Sequence, residues 1–428
     1  MEALVIEGGL PLKGTVQVNG AKNAVLPMMC AALLTRERVV IHNVPMLKDI
    51  ETMAQILAAL GVRVEFEGNS VILQTIDETN CLAPYELVRK MRASFCVLGP
   101  LVARRGRAIV AHPGGCVIGV RPVDLHERGF ERLNIKLERR DGNLVASTNL
   151  IRGNTVYLGG HYGTTVTGTA NLAMCAVLAK GTTVLEFAAC EPEVQQLCQM
   201  LVQMGAKISG IGSPRLVIEG VQELHGVEIE AIPDRIETGT FMIAGAITGG
   251  DIVLRHTQPE HLTAAIEELR KIGVMVSCGA DWIHVRSSGA FSPTEIVTHP
   301  YPGFPTDLQP QILSLLSITP GISVVRERVF PDRFLHIGEL LRMGAKIRKE
   351  GDMALVFGVD CLTGAPVEST DIRAGAALII AGLAAKGRTV VDRASEHVDR
   401  GYEAIEQRLE KLGARVRRVQ SHEARLRA

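Results

Sequence analysis

A helix-capping signal that recurs at a spacing of roughly 70 residues constrains this chain more than any other feature, because a period of that length marks stacked copies of one supersecondary unit. Apolar, helix-like stretches end at or near Gly61, Gly205, Gly273, Gly344 and Gly413, and each glycine is followed by residues that read as a strand pair. These units run from Leu57 to Leu73, Leu201 to Ile218, Leu269 to Val285, Leu340 to Val356 and Leu409 to Val419. Between the first two, Phe130 to Val145 repeats the pattern with Asn134 in glycine's place. Glycine and asparagine are the residues that a left-handed helix cap accepts. Six units fit the 428 residues.

Each unit also holds an earlier helix rich in small apolar residues, then a turn and a strand. Ala24 to Leu34 precedes Val39 to Ile41, Ser94 to Val102 precedes Ala108 to Val110, and Ala170 to Ala179 precedes Thr182 to Leu185. In the second half, Phe241 to Ile247 precedes Ile252 to Leu254, Gln309 to Leu316 precedes Ile322 to Val325, and Ala374 to Ala385 precedes Thr389 to Val391. Helices with little side-chain bulk pack side by side behind sheets and tolerate burial on every face. Two domains are the expectation at this length, so the repeats predict an α/β protein with three units in each.

Charge excludes some functions. Lys plus Arg and Asp plus Glu both number 46, so no global field favours nucleic acid or an anionic membrane, and any anion site must be local. Nine scattered cysteines contain no Cys-x-x-Cys pair, which argues against a disulfide framework or structural zinc and for a reducing compartment. The start, Met1, Glu2, Ala3, has no signal-peptide character, and the longest apolar run, Ala374 to Ala385, falls short of the ~20 residues of a spanning helix. A cytoplasmic protein is expected.

The run His112 to Asp124 concentrates the chemistry: Gly114, Gly115 and Gly119 surround Cys116, with Arg121 five positions on. A free thiol titrates near about 8.5 and is a proton donor at neutral pH, while a nearby arginine draws that value toward neutrality, where an acid or base is most useful. A small buried cysteine in a turn is the plain alternative. Lys22 and Asn23 lie at the start of a helix after Gly20, a place suited to an anion, although a surface lysine is the commoner occupant. Asp307, between the turn Pro300 to Pro305 and a helix, reads locally as an N-cap.

The stretch from Gly114 to His126 resembles, almost residue for residue, the active-site loop of the enolpyruvyl transferases, in the branch that acts on UDP-N-acetylglucosamine. Similar matches recur at Asn19 to Asn23, Pro233 to Phe241, Pro300 to Gln309, Asp332 to Glu339, Thr370 to Ala377 and His397 to Tyr402, so the resemblance covers nearly the whole chain. It implies a two-domain inside-out α/β barrel of six βαβαββ-type repeats, three per domain, with the active site in the interdomain cleft. One domain would span residues 22–232, the other residues 1–21 plus 233–428.

The resemblance also implies transfer of the enolpyruvyl (1-carboxyvinyl) group from phosphoenolpyruvate to the 3-hydroxyl of UDP-N-acetylglucosamine with release of phosphate, in peptidoglycan precursor synthesis. No metal or organic cofactor is implied, and the partners are these two small molecules. By the same resemblance, Lys22, Asn23, Arg121 and Arg400 bind phosphoenolpyruvate, Cys116 delivers the proton and forms a covalent adduct, and Asp307 binds the sugar hydroxyl and removes its proton, with Lys22 and Arg400 sharing in catalysis. Nucleotide-sugar contacts fall on Asn23, Arg92, the run Arg121, Pro122, Val123, Asp124, Leu125, the run Thr165, Val166, Thr167, Gly168, and on Asp307 and Val329. Arg333 and Arg373 match basic residues near the cleft, and Asp234 and Asp371 match carboxylates at the domain junction. One segment departs from the pattern: the family's Ser-Val-Gly reads here Val166, Thr167, Gly168, after the glycine-rich run Gly159 to Gly163. A sister transferase with another acceptor, such as shikimate phosphate, and a catalytically silent sugar-nucleotide sensor are the alternatives; the cysteine loop counts against the first, and the presence of Lys22, Cys116 and Asp307 against the second.

Overall fold

All six capping positions take the left-handed conformation: φ is 84° at Gly61, 65° at Asn134, 103° at Gly205, 107° at Gly273, 88° at Gly344 and 92° at Gly413. A residue with a branched Cβ would be strained at each, which is why glycine or asparagine punctuates the repeat. The computed structural model describes residues 2–112 and 123–422. After each of the first five caps comes an antiparallel hairpin, such as Val62–Glu67 with Ser70–Thr75 and Lys346–Glu350 with Met353–Phe357.

Among the described residues the strands form six separate open sheets, and no closed barrel. Five sheets lay the hairpin, and the sixth an equivalent pair of strands, against a strand that follows a buried helix, and five of the six add a further, parallel strand at the edge, as Val227–Glu230 adds to Val39–His42. The sheet of Arg107–Ala111, Asn143–Ser147 and Lys136–Arg140 has three strands, with a single parallel bridge from Leu82 to Ile109 at the corresponding edge.

The sixth unit differs from its sequence reading. Among the described residues one strand, Arg415–Gln420, follows Gly413; the place of its hairpin partner is taken by Glu2–Glu7, which pairs antiparallel with both Arg415–Gln420 and Arg388–Asp392. Lys13–Gln17 likewise adds in parallel to Asp251–Arg255. A second difference lies at Ser94 to Val102, where a 3-10 turn, Arg92–Val97, leads into the α-helix Leu98–Arg105. Pro100 falls in the first turn of that helix, where its missing N–H costs no intrahelical bond.

The chain divides into two compact units, residues 20–112 with 123–232, and residues 2–19 with 233–422. Each has its own apolar core. The helices richest in small residues are buried almost all round: Gly168 to Ala176 in Val166–Ala176, and Arg373 to Leu383 in Ile372–Ala384. Gly129 shows how close the approach is, since a Cβ there would lie 2.3 Å from Leu172 Cδ1. No helix of the described residues is long and apolar enough to cross a membrane.

Candidate functional site

The unit of residues 2–19 and 233–422 holds a charged cluster centred on Asp307. The helix that follows starts at Gln309, with Leu308 in the capping position and no side-chain cap, so the local N-cap reading of Asp307 does not hold. Asp307 sits instead in the 3-10 turn Thr306–Leu308 and gives its carboxylate to two buried arginines. Arg333 Nη1 donates to Oδ1 at 2.7 Å, and Arg373 donates to Oδ2 from Nε at 3.1 Å and Nη2 at 2.9 Å. Charge-assisted bonds are roughly twice as strong as neutral ones, so the guanidinium groups outcompete the backbone N–H groups of the helix. Burial would raise the Asp307 carboxyl, but the charges and hydrogen bonds of Arg373 and Arg333 outweigh it and hold the group well below the usual carboxylate range. Its side chain keeps 27% exposure, so it is reachable from solvent while both arginines are not.

Neighbouring groups fix the arginines. Arg373 Nη1 donates to the Tyr402 hydroxyl at 3.1 Å, and that hydroxyl also meets Thr240 Oγ1 at 2.9 Å and Gln311 Nε2 at 3.2 Å. The helix Ile372–Ala384 that carries Arg373 is capped by Asp371, whose Oδ1 accepts from the N–H groups of Arg373 and Ala374. Asp234 caps Arg235–Ile247 in the same way. Arg400 lies in the 3-10 turn Val398–Arg400, two residues before Tyr402. On the other side, Arg333 Nη1 also donates to Thr306 Oγ1 at 3.2 Å, and Thr306 donates to Glu327 Oε2 at 2.9 Å. Glu327 is fully buried; its Oε1 accepts from the Thr298 hydroxyl at 2.6 Å and from the N–H groups of Val329 and Phe330, both at 2.9 Å. Sequence reasoning singled out neither Glu327 nor the Tyr402 hydroxyl.

The other unit holds two polar groupings. Lys22, the first residue of the helix Lys22–Ala31, is buried and ion-paired with buried Asp49 at 3.0 Å, so it is not the exposed lysine common at helix starts; Asn23 beside it is exposed. Breaking such a pair leaves an uncompensated buried charge. The second grouping joins two helix starts. Asp124 opens the helix Asp124–Arg132, with Leu125 half-buried behind it, and Thr165 caps Val166–Ala176 by accepting from Gly168 N–H at 3.1 Å. The capping hydroxyl is therefore Thr165, one residue ahead of the departing triplet, while Thr167 faces buried His126. Arg92 begins the turn Arg92–Val97, and its charge, after burial, helps push the His126 imidazole down to about 3.

Cys116, Arg121 and Pro122 lie outside the described residues. The buried thiols Cys96 and Cys198 are each pushed up to about 12 by burial, and Cys30 well above its ordinary value, so none of these three is a ready nucleophile.

Residues 6–409 match the family model for EPSP synthase (3-phosphoshikimate 1-carboxyvinyltransferase). A protein of Carboxydothermus hydrogenoformans named UDP-N-acetylglucosamine 1-carboxyvinyltransferase 2 is 51% identical over 421 residues, 98% of this chain and 100% of its own length. One of Methylacidiphilum infernorum, named UDP-N-acetylglucosamine 1-carboxyvinyltransferase, is 48% identical over the same span and shares. Among solved structures, the enolpyruvyl transferase NikO from Streptomyces tendae superposes with a TM-score of 0.88 at 25% identity, covering 98% of this chain and 99% of that one.

Proposed function

The chain belongs to the enolpyruvyl (1-carboxyvinyl) transferase family, and on that premise we propose that it transfers the enolpyruvyl group of phosphoenolpyruvate to the 3-hydroxyl of UDP-N-acetylglucosamine, releasing phosphate, as a step of peptidoglycan precursor synthesis in the cytoplasm. The observation that carries the acceptor is the 48% to 51% identity, over 421 residues, with relatives named for that activity. A shikimate-phosphate acceptor would share the fold, as the family model's description indicates; the cysteine loop and the named relatives favour the nucleotide sugar.

The chemistry is addition followed by elimination. The sugar oxygen bonds to the enol carbon while the methylene carbon gains a proton, which Cys116 supplies; the methyl carbon then loses a proton as phosphate departs and the double bond re-forms. Lys22, Arg121 and Arg400 hold the phosphate, whose charge grows as it leaves. Asp307, ionised between its two arginines, accepts a hydrogen bond from the 3-hydroxyl and fixes its direction. To take that proton as well, it must first loosen the guanidinium bonds that depress its basicity. Asn23, Arg92, Val123 to Leu125, Thr165 to Gly168 and Val329 complete the acceptor's contacts in this reading.

The test is phosphate release with phosphoenolpyruvate and a panel of UDP-sugars, each product weighed by mass spectrometry. Release with UDP-N-acetylglucosamine and a product heavier by one enolpyruvyl group is expected, and is lost in Cys116→Ala while nucleotide-sugar binding survives. Fosfomycin, an epoxide phosphonate, is expected to alkylate Cys116; a digest labelled at buried Cys30 or Cys96 instead would remove the thiol's assigned role.

A further inference from the structure

The buried polar chain between the helices Asp124–Arg132 and Val166–Ala176 has a fixed direction. It starts at Gly99, whose N–H donates to Asn171 Oδ1 at 2.6 Å. That bond settles which end of the Asn171 amide is oxygen, since a backbone N–H only donates. Asn171 Nδ2 then donates to the Phe95 carbonyl at 2.9 Å and turns toward His126 Nδ1 at 3.4 Å. Asn171 and His126 are both buried, at 0% and 1% exposure, so water does not rescue a mismatched pair. Nδ1 therefore accepts, and the imidazole carries its proton on Nε2, which faces Thr167 Oγ1 at 3.2 Å. The ring is held edge-on against Phe95, with centroids 5.1 Å apart and planes at 76°. Burial and the charge of Arg92 keep it neutral, so the arrangement persists at ordinary pH.

The Thr167 oxygen accepts from His126, which leaves the hydroxyl's own proton to be given elsewhere. Thr167 is half-buried in the first turn of its helix, and His126 is the hydrogen-bond partner of its hydroxyl among the described residues. We propose that His126 is a positioning residue that turns the Thr167 hydroxyl into a donor, aimed at an acceptor oxygen in the nucleotide part of the acceptor substrate. This rests on the nucleotide-sugar reading above, and it gives the departing triplet a purpose, since it places a side-chain hydroxyl of fixed polarity at the second residue of Val166–Ala176.

The polarity is read without substrate from the two ring-nitrogen signals of His126 in long-range 1H–15N spectra of the intact protein. Protonated Nε2 with bare Nδ1 is expected, and the opposite tautomer would overturn the proposal whatever the protein binds. Calorimetric titration with UDP-N-acetylglucosamine then tests the use of that polarity. Thr167→Val is expected to weaken binding about tenfold, with KM for phosphoenolpyruvate within about twofold of wild type. His126→Phe keeps the ring against Phe95 but loses the donor, so it should cost a similar factor, and the double variant should cost no more than either alone. His126→Gln, which restores an N–H donor, should recover part of the loss. Wild-type affinity in Thr167→Val, or losses that multiply in the double variant, would overturn the proposal, and Thr167→Val decides alone if His126→Phe fails to fold. Competition with UDP and with uridine narrows the oxygen: a loss for UDP alone assigns the diphosphate, a loss for both the nucleoside. If wild-type protein binds no UDP-N-acetylglucosamine, the functional reading fails, and the tautomer still judges the relay.

Discussion

Around Asp307 the polar groups are charged and close, three guanidinium N–H groups lying within 3.1 Å of the carboxylate. Around His126 they are neutral and longer, at 3.2 and 3.4 Å. The first arrangement is strong and nearly symmetric: two arginines approach from two sides, and little in it depends on which oxygen faces which donor. The second is weak but directional, because the Asn171 amide and the His126 imidazole each have a single permitted role once Gly99 has set the first. Charge concentrates binding energy, and a buried neutral chain conveys orientation.

The largest effect is expected where charge is removed. Asp307→Asn takes from buried Arg333 and Arg373 the carboxylate that ion-pairs with both, so turnover should fall by ~10²–10⁴-fold and unfolding free energy in urea by about 3–5 kcal/mol. An unchanged urea midpoint would erase the distinction between the two regions.

Acid separates them next. The His126 imidazole is depressed to about 3 in the folded protein, so between that value and the ordinary ~6.5 the unfolded chain binds the extra proton, and stability falls as pH drops through this window at ~1.4 kcal/mol per unit. The Asp307 carboxyl is also depressed, but from an ordinary value near about 3.9, so its contribution is complete above that pH and lost only on further acidification. The stability advantage of wild type over His126→Phe should therefore shrink by about 2 kcal/mol between pH 7 and pH 5. A difference that stays constant over that range would place the His126 ring in water.

The smallest expected effect sharpens the picture within the charged region. Tyr402→Phe removes the hydroxyl shared by Thr240, Gln311 and Arg373 while the ring still fills its space, so a loss of about 1 kcal/mol in stability and a few-fold drop in turnover are expected. A loss as large as that of Asp307→Asn would mean that this hydroxyl, and not the carboxylate, organises the arginines.

The repeat was legible because a left-handed cap is a local event, written in one residue: Gly61, Asn134 and their four counterparts announce themselves without tertiary knowledge. Pairing across the chain leaves no such mark, and nothing near Gly413 reveals that Glu2–Glu7 completes its sheet. The same limit governs the site. Asp307 reads as a cap from its neighbours, yet its partners stand 26 and 66 residues away, and their charges decide its role. Glu327, between Arg326 and Arg328, looks like part of a solvated charge run, and only the folded turn shows it buried under two hydroxyls and two N–H groups. His126 closes the loop that resembles the family's, but its direction depends on an asparagine amide and a glycine N–H from other segments.

The strand Glu2–Glu7 carries a consequence for biosynthesis. Its residues Ala3 to Ile6, all but inaccessible in the finished protein, leave the ribosome long before the segments that flank them, Arg388–Asp392 and Arg415–Gln420. At ~5–20 residues per second that is a delay of ~20–80 s, during which an apolar strand has both edges open. The unit of residues 20–112 and 123–232 meanwhile has all of its described chain out of the ribosome once Ile232 has emerged, so it is able to mature while the other unit still waits for Arg388–Asp392 and Arg415–Gln420. Nascent-chain chaperones thus have a natural client in Glu2–Glu7, and a nascent polypeptide that stops before Arg388 is left with that strand uncovered.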